Sequence, residues 1–245
     1  EGGTVDEVAR QAIASHANND EIHLTEEKAI EAAATAISNP NLLIDPDFMI
    51  NQRGQTEYSG AYTYTVDRWY KQATATAGAV SVTGDGVSLS TTSGSNDNIV
   101  QLRQYIEFPS RLAGKTVTFS FSAKCNGVFG NAGISYYDEG GAFHVIAVIP
   151  SASIAASDEY TSYSITAVLP ETLTDKMRLF VNFVASADTA TNPIYLKWVK
   201  LELGSVATPF TPPDPATELA KCQRYFQKSF PYNVKPSVEN VNRLF

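Results

Sequence analysis

The fold of this chain is decided by residues 100–123, which read VQLRQYIEFPSRLAGKTVTFSFSA. Side chains of a β-strand alternate between its two faces, so a period of two predicts strands that each bury one face. Both halves of the stretch have this period, and a turn at Gly114 separates them. The residues expected on the buried face are Val100, Leu102, Gln104, Ile106, Phe108, Val117, Phe119, Phe121 and Ala123.

The same period runs through most of residues 40–208. Gly84-Asp85-Gly86 separates two alternating segments and is typical of a hairpin turn. About ten short strands with regularly spaced turns predict a mainly β fold, an antiparallel β-sandwich of jelly-roll type. The other segments predicted as strands are residues 65–72, 133–137, 143–149, 161–169, 178–185 and 195–203.

Residues 1–39, before the sandwich, are predicted to be helical. Thr4 and Glu7 form a capping box, and Thr25 can cap a second helix that ends before Pro40. The apolar stripe of this second helix is narrow and rich in alanine. We therefore favour a parallel bundle of identical chains, a trimerisation element, over packing against the body of the same chain.

Residues 209–245, after the sandwich, begin with a stiff proline-rich link. Asp214 can cap a helix that has Pro215 at its first position, and we predict a short helix through Gln227. Residues 231–245 have no clear period and are interpreted as the possible start of a further domain. The residues expected to share one face of the short helix are Leu219, Cys222 and Phe226.

Charge and composition exclude several classes of function. The formal net charge is −8 and no basic run is present, so binding to a nucleic-acid backbone is not predicted. No apolar run is long enough to cross a bilayer. Cys125 and Cys222 lack metal-binding spacing and are predicted to be free thiols. No cofactor or metal is predicted, although His16 and His23 could meet on the axis of a trimer.

Five segments, in this order and spacing, resemble a domain common in phage and prophage tail-fibre proteins. The first reads NLLIDPDFMINQRG and is similar to the opening of that domain, and the last is similar to its recurrent helix after the sandwich. Upstream, residues 15–19, 22–25 and 27–28 are similar to short segments of phage tail-fibre stalks, and together the matches cover most of residues 15–230. The five segments are residues 41–54, 64–69, 112–118, 201–210 and 219–229.

The resemblance implies a jelly roll related in shape to carbohydrate-binding modules and carried on a homotrimeric tail fibre. Such a protein would be synthesised in the bacterial cytoplasm and would belong to the virion. Its implied partners are other tail-fibre or baseplate proteins and a glycan on the host cell surface. The resemblance implies no reaction.

Two groups of tyrosines lie in predicted turns, where side chains are free to meet a ligand. The first group is Tyr136 and Tyr137, beside Asp138 and His144. Its rings could stack on a sugar while the carboxylate accepts hydrogen bonds from hydroxyl groups. The second group is Tyr58, Tyr62 and Tyr64. Tyrosines are also ordinary strand residues, so a structural role in the sheets is the alternative for both groups.

The two tryptophans are interpreted as core residues. Asp67-Arg68-Trp69 lies in a segment predicted as a strand, which favours a buried Trp69 with Asp67 and Arg68 paired at a sheet edge over a platform for sugar stacking. The same interpretation applies to Trp198 in the last predicted strand.

No arrangement of residues predicts catalysis. Asp138-Glu139 and Asp158-Glu159 are adjacent pairs, which suit turns better than the two sides of a glycosidic bond. No motif of a nucleophilic hydrolase or metalloprotease is present. We therefore expect a non-enzymatic protein that attaches to a host by multivalent glycan binding. The alternatives are a structural spacer of a tail fibre and an accessory sugar-binding domain of a depolymerase.

Overall fold

The computed structural model describes residues 38–73, 78–91, 99–185 and 191–228, together with residues 10 and 189. The predicted helical stalk, including His16 and His23, and the unpatterned tail lie outside the described residues. The described ranges contain twelve strands and one α-helix, α1 (Pro215–Gln223). The strands are β1 (Glu57–Tyr58), β2 (Tyr62–Tyr64), β3 (Tyr70–Ala73), β4 (Ala79–Thr83), β5 (Gly86–Ser90), β6 (Val100–Tyr105), β7 (Thr116–Cys125), β8 (Phe129–Tyr137), β9 (Phe143–Pro150), β10 (Ser157–Val168), β11 (Arg178–Ala185) and β12 (Ile194–Leu203).

The strands form two six-stranded sheets in which all neighbours are antiparallel. Sheet I has the strand order β1-β4-β5-β12-β7-β10, and sheet II has the order β2-β3-β6-β11-β8-β9. From β5 onward the chain passes repeatedly from one sheet to the other, which is the jelly-roll arrangement. The predicted antiparallel sandwich is confirmed, as is the hairpin at Gly84–Gly86, where Thr83 pairs with Gly86.

The core lies between the two sheets and follows the predicted alternation. Phe119 and Phe121 of β7 meet Phe183 of β11 across the sandwich, with ring centroids 5.7 and 5.0 Å apart. All three side chains are fully buried, and each such burial stabilises the fold by about 1.5–3 kcal/mol. Phe108 departs from the prediction because β6 ends at Tyr105 and the backbone of Phe108 is left-handed, which leaves its ring exposed.

The predicted strand over residues 65–72 is wrong in its first half. Residues 65–69 form the turn between β2 and β3, closed by a hydrogen bond from Thr65 N to Trp69 O at 2.8 Å. Arg68 has a φ of 73°, which a strand does not accommodate. The turn also separates Asp67 from Arg68: Asp67 pairs with Arg53 at 3.0 Å, so the expected ion pair between neighbours does not form.

Trp69 is buried in the core, as predicted. Its ring lies 4.9 Å from that of Phe48, and its indole N–H donates to the carbonyl oxygen of Asp45 at 2.7 Å. Trp69 thereby joins the β2–β3 turn to the segment that precedes β1.

Trp198 is not a core residue, contrary to the prediction. Between Leu196 and Trp198, β12 advances by two residues while β7 advances by one. This β-bulge reverses the alternation and turns Trp198 outward. Its half-buried ring stacks parallel on Phe210, with centroids 4.9 Å apart.

Lys200 and Glu202 point outward from β12 yet are buried, because residues 204–213, which we call the strap, cross over them. Lys200 Nζ lies 3.2 Å from Glu202 Oε2 and donates to Pro209 O at 3.0 Å. Ser38 Oγ accepts a further bond from the same ammonium group at 3.1 Å. Glu202 Oε1 accepts from Thr208 N at 2.8 Å. The ion pair thus ties the strap and residue 38 to sheet I.

Helix α1 begins as predicted, with Asp214 accepting a hydrogen bond from Thr217 N at 2.8 Å and Pro215 in the first turn. It ends at Gln223, four residues earlier than expected. Leu219 and the buried thiol of Cys222 pack against Ile44 and Ile50. Cys125 is also buried, and the two cysteines are thiols that are not joined in a disulfide, as predicted. Within the described ranges, no helix is long and apolar enough to span a membrane.

Asp45 is a fully buried carboxyl group at the junction of α1 with the segment before β1. Its Oδ1 accepts from Ile50 N at 2.8 Å, while Oδ2 has no hydrogen-bond partner among the described residues. Burial, reinforced by the nearby carboxylates of Asp47 and Glu218, raises the pKa of Asp45 well above its usual value. The folded protein therefore favours the protonated form of this group.

The Asp45→Asn variant is expected to gain stability over the wild type as the pH rises. The contribution of protonated Asp45 to the stability of the fold is fully present below the pKa of the group in the unfolded chain, about 3.9. It is lost as the pH rises through the raised pKa of the group in the folded protein. The amide does not ionise, so the variant avoids this loss of up to about 1.4 kcal/mol per pH unit. Urea denaturation at pH 4 to 8 measures the difference.

Asp214→Asn is the matched control for this measurement. The hydrogen bond from Thr217 N lowers the pKa of Asp214, so its contribution is present at neutral pH and is lost as the pH falls. The two variants should therefore diverge from the wild type with opposite dependence on pH. A constant difference between Asp45→Asn and the wild type from pH 4 to 8 would contradict the burial argument.

Candidate functional site

The outward faces of the two sheets differ in chemistry. Cross-strand partners lie on the same face of a sheet, so the registers identify each outward set. Sheet I presents mostly small hydroxyl side chains: Ser81, Ser88, Thr118, Ser120, Ser122, Ser162, Ser164 and Thr166. Sheet II presents large rings, amides and guanidinium groups: Tyr62, Tyr64, Tyr70, Gln72, Gln101, Arg103, Tyr105, Asn131, Tyr137, Phe143, Arg178, Phe180 and Asn182.

A continuous row of rings crosses the outward face of sheet II, with one ring from each of its six strands. Successive ring centroids lie 5.2, 6.4, 5.5, 5.5 and 5.6 Å apart. At about 4.8 Å between strands, the row spans about 24 Å. We call it the aromatic belt; from β2 to β9 its members are Tyr64, Tyr70, Tyr105, Phe180, Tyr137 and Phe143.

The belt is covered at its centre and exposed at both ends. Tyr64 and Phe143, at the two ends, are 43% and 52% exposed. Phe180, on the central strand β11, points outward and yet is fully buried by its neighbours. A row of rings that crosses every strand of the sheet is suited to an elongated ligand that lies across the strands.

Arg103 lies beneath the centre of the belt and is 1% exposed. Its Nη1 donates to the hydroxyl oxygens of Tyr105 and Tyr137 at 3.5 and 3.4 Å, the long end of hydrogen-bonding distance. Its Nη2 donates to Gln101 Oε1. The guanidinium carbon is 4.7 Å from the ring centroid of Phe180. Arg103 therefore holds three members of the belt together.

Two buried polar atoms beneath the belt lack partners. Among the described residues, neither Arg103 Nε nor Asn182 Oδ1 has a hydrogen-bond partner. The two residues are paired directly across β6 and β11. Buried polar groups are nearly always satisfied in folded proteins. Both residues face outward from sheet II, on the side that carries the belt.

The belt also contacts the residues just after α1 through two arginines. The guanidinium carbon of Arg53 lies 5.6 Å from the Tyr64 ring and 4.0 Å from the ring of Phe226. Arg68 donates to the backbone oxygen of Tyr105 at 2.8 Å and lies 3.6 Å from the ring of Tyr225. Residues 225–226, which we call the helix tip, are thereby connected to the rim of the face.

Only Tyr137 of the first predicted site group lies in the belt. Tyr136, its neighbour on β8, points to the core side and stacks on His144 with centroids 4.7 Å apart. His144 Nε2 is 2.9 Å from Asp138 Oδ2, and Asp138 Oδ1 accepts from Ala142 N. The hydrogen bond with His144 lowers the pKa of Asp138. These three residues brace the β8–β9 hairpin and do not line the belt.

The second predicted group is also divided. Tyr58 is buried in the core and its hydroxyl donates to Asn51 Oδ1 at 2.5 Å, so its ring is not available at the surface. Tyr62 and Tyr64 point outward from β2, as a ligand-binding role requires, and Tyr62 extends the face beside Gln72. Tyr58 is therefore corrected from a surface residue to a core residue.

The central members of the face were missed from the sequence. These are Tyr70, Arg103, Tyr105, Phe180 and Asn182, all on predicted strands. The signal was present, because the outward positions of β6 and β11 carry rings and Arg where those of β7 and β10 carry Ser and Thr. Within the described ranges, no group of three or more His, Cys, Asp or Glu side chains is arranged to hold a metal ion.

Comparison with known proteins gives similarities of fold at low identity. No family model matches the chain, and no curated protein sequence matches it. Among solved structures, the chain is similar to the enzymatically active domain of tailspike protein 4 of bacteriophage CBA120, with 19% identity and a TM-score of 0.44. That match covers 66% of this chain and 21% of the tailspike chain, so the chain spans about a fifth of its length.

Two carbohydrate-binding modules are also similar to the chain. One is a CBM4 module, with 15% identity, a TM-score of 0.42 and coverage of 56% of this chain and 95% of the module. The other is TmCBM61 in complex with β-1,4-galactotriose, with 13% identity, a TM-score of 0.41 and coverage of 67% and 99%.

Proposed function

We propose that this chain is a non-enzymatic glycan-binding module and that the aromatic belt of sheet II is its binding face. The observation that carries the proposal is the belt itself, a row of six neighbouring rings across the whole sheet. A sugar ring has an apolar face that packs on an aromatic ring and hydroxyl groups that need hydrogen-bond partners. The belt supplies the rings, and Gln72, Gln101 and Asn182 supply amide groups beside them.

The charges on the face favour binding over hydrolysis. A glycosidase needs two carboxyl groups on either side of the scissile bond. None of the outward-facing strand residues of sheet II in the described ranges is Asp or Glu. The adjacent pair Asp138-Glu139 lies in the β8–β9 hairpin, where Asp138 bonds to His144 and Glu139 bonds to Thr174.

We further propose that the module serves in host attachment as part of a homotrimeric phage tail fibre, with the virion as its location. This part of the proposal rests on the sequence resemblance over residues 15–230. Three copies of a shallow face would bind a repetitive surface glycan far more tightly than one copy. Sedimentation analysis of the full chain tests the trimer. A monomer at micromolar concentration would contradict it.

The binding face is tested with a panel of immobilised bacterial surface polysaccharides and the purified full chain. Tyr105→Ala and Tyr137→Ala each remove one ring of the belt. Each variant is expected to bind at least about tenfold more weakly than the wild type, a loss of about 1.4 kcal/mol. Biolayer interferometry measures the affinities, and urea denaturation verifies that the variants are folded.

Tyr160→Ala is the matched control, because Tyr160 lies on the outward face of sheet I with Lys124 Nζ 4.6 Å from its ring. It should bind like the wild type. If no polysaccharide of the panel binds, or if the belt variants bind as well as Tyr160→Ala, the proposed function is wrong. Folded protein without any glycan binding would instead support the spacer interpretation.

A further inference from the structure

The belt face is positively charged on a protein that is negatively charged as a whole. The chain carries 26 acidic and 18 basic residues, a formal net charge of −8. On the described outward positions of sheet II, the charged residues are Arg103 and Arg178. Arg53 adjoins the rim at Tyr64, but its charge is paired with Asp67. Arg178 lies 4.6 Å from the ring of Tyr137. The face therefore attracts anions although the molecule repels them.

Arg103 is a buried cation without a counter-ion among the described residues. The nearest groups with which it interacts are neutral: two phenols, the amide of Gln101 and the ring of Phe180. Burial of a charge is unfavourable unless the charge is paired. The interaction with the ring of Phe180 offsets only part of this cost. The remaining deficit is removed when an anion binds above the guanidinium group.

Arg103 also sets the direction of the hydrogens at the surface of the belt. Its Nη1 donates to the hydroxyl oxygens of Tyr105 and Tyr137. The hydroxyl hydrogens of these tyrosines are then free to donate away from Arg103, toward the ligand. Burial raises the pKa of Tyr70, so its phenol also stays protonated. The centre of the belt thus presents donors, which suit a ligand rich in acceptors.

We propose that the glycan bound by the belt is acidic and that a carboxylate-bearing sugar residue of it lies over Arg103. This inference rests on the proposed function and adds the ligand class. The carboxylate accepts hydrogen bonds from the hydroxyls of Tyr105 and Tyr137, and the guanidinium group of Arg103, whose Nε has no partner among the described residues, supplies the positive charge beneath it. The neighbouring sugars of the chain stack on the outer rings of the belt.

The proposal is tested by combining a change in the protein with a change in the ligand. Each polysaccharide of the panel that binds the wild type is also prepared in a carboxyl-reduced form, in which every uronic or sialic carboxylate becomes a neutral alcohol. The variant Arg103→Gln is measured against both forms. Arg111→Gln, which removes an exposed arginine outside sheet II, is the matched control.

We expect carboxyl reduction to weaken binding of the wild type at least about tenfold, and Arg103→Gln to weaken binding of the native polysaccharide by a similar factor. Carboxyl reduction and Arg103→Gln together should lower the affinity no more than either change alone, because both remove the same interaction. Raising the NaCl concentration from 50 to 500 mM should weaken binding of the wild type more than binding of the variant, which retains Arg178 on the face. Arg111→Gln should behave like the wild type.

The outcomes separate the two proposals. The proposal of an acidic ligand is wrong if the wild type binds only neutral polysaccharides, or if it binds the reduced form as tightly as the native one. Either result would leave the proposed glycan-binding face supported. Binding to sulfated or phosphorylated polysaccharides that is insensitive to carboxyl reduction would also contradict the proposal that the belt recognises a carboxylate. Arg103→Lys keeps the positive charge but lacks the planar guanidinium group. If this variant retains at least a third of the wild-type affinity, the proposed role of the guanidinium group is wrong.

Discussion

Trp69→Ala is expected to lower the free energy of unfolding by about 3–5 kcal/mol, a large part of the stability of a domain of this size. The indole is fully buried between Phe48 and Phe183, so truncation leaves a cavity that the sheets cannot close. It also leaves the carbonyl of Asp45 without the N–H that now donates to it. Guanidinium denaturation monitored by circular dichroism measures the loss.

Trp198→Ala provides the comparison, because it is the same substitution at the other tryptophan of the chain. Trp198 is half-buried and stacks on Phe210 of the strap. We expect the free energy of unfolding to fall by only about 1–2 kcal/mol there, since one side of the ring is exposed to solvent and its removal leaves no closed cavity. Equal losses at the two positions would contradict the assignment of Trp69 to the core and Trp198 to the surface.

Glu202→Gln is expected to destabilise the protein by about 3–5 kcal/mol. The amide can still accept the hydrogen bond from Thr208 N, but the buried ammonium group of Lys200 loses its counter-ion. Lys200 then keeps a buried positive charge without a charged partner. Urea denaturation at pH 7 measures the free energy of unfolding of the variant and the wild type.

Glu139→Gln serves as the control, because Glu139 makes an exposed ion pair with Lys176 at 3.8 Å. Exposed pairs contribute little, so the cost should stay below about 1 kcal/mol. The double variant Lys200→Met with Glu202→Gln should be more stable than Glu202→Gln alone, since it removes the unpaired charge. A double variant less stable than the single one would contradict the charge argument.

The sandwich could be predicted from sequence because the alternation of the core-facing residues is local. Val117, Phe119 and Phe121 lie two apart, and each is fully buried. The prediction failed where a single backbone feature shifts the pattern. The left-handed backbone conformation of Arg68 forms a turn within a segment predicted as a strand. The β-bulge before Trp198 reverses the direction of the Trp198 side chain. Neither feature has a marker such as glycine in the sequence.

The candidate site could be predicted only in part because it is assembled across strands. Tyr62, Tyr64 and Tyr137 were identified, but as members of two separate groups. Their common face depends on strand order: β6 and β11, distant in sequence, lie between β3 and β8 and bring Arg103 and Phe180 into the middle. Pairing of strands this distant in sequence is not encoded in the period of any one segment.

Several residues that carry the family resemblance have structural roles in this fold. Asn41 accepts hydrogen bonds from the backbone of Leu43 and Leu201, which holds the first segment against β12. Gln52 bonds to Asp67 and to the backbone of Phe226. The segment NLLIDPDFMINQRG thus joins the sandwich to the helix after it. The resemblance reports the fold of this junction more directly than it reports the ligand.

The contact between the helix tip and the rim of the belt has a thermodynamic consequence. Arg53 lies between the rings of Tyr64 and Phe226, and Arg68 connects Tyr105 to Tyr225. Coupling between two sites is reciprocal. We therefore expect that any factor by which a ligand on the belt strengthens the docking of the helix tip is also the factor by which undocking of the tip weakens ligand binding.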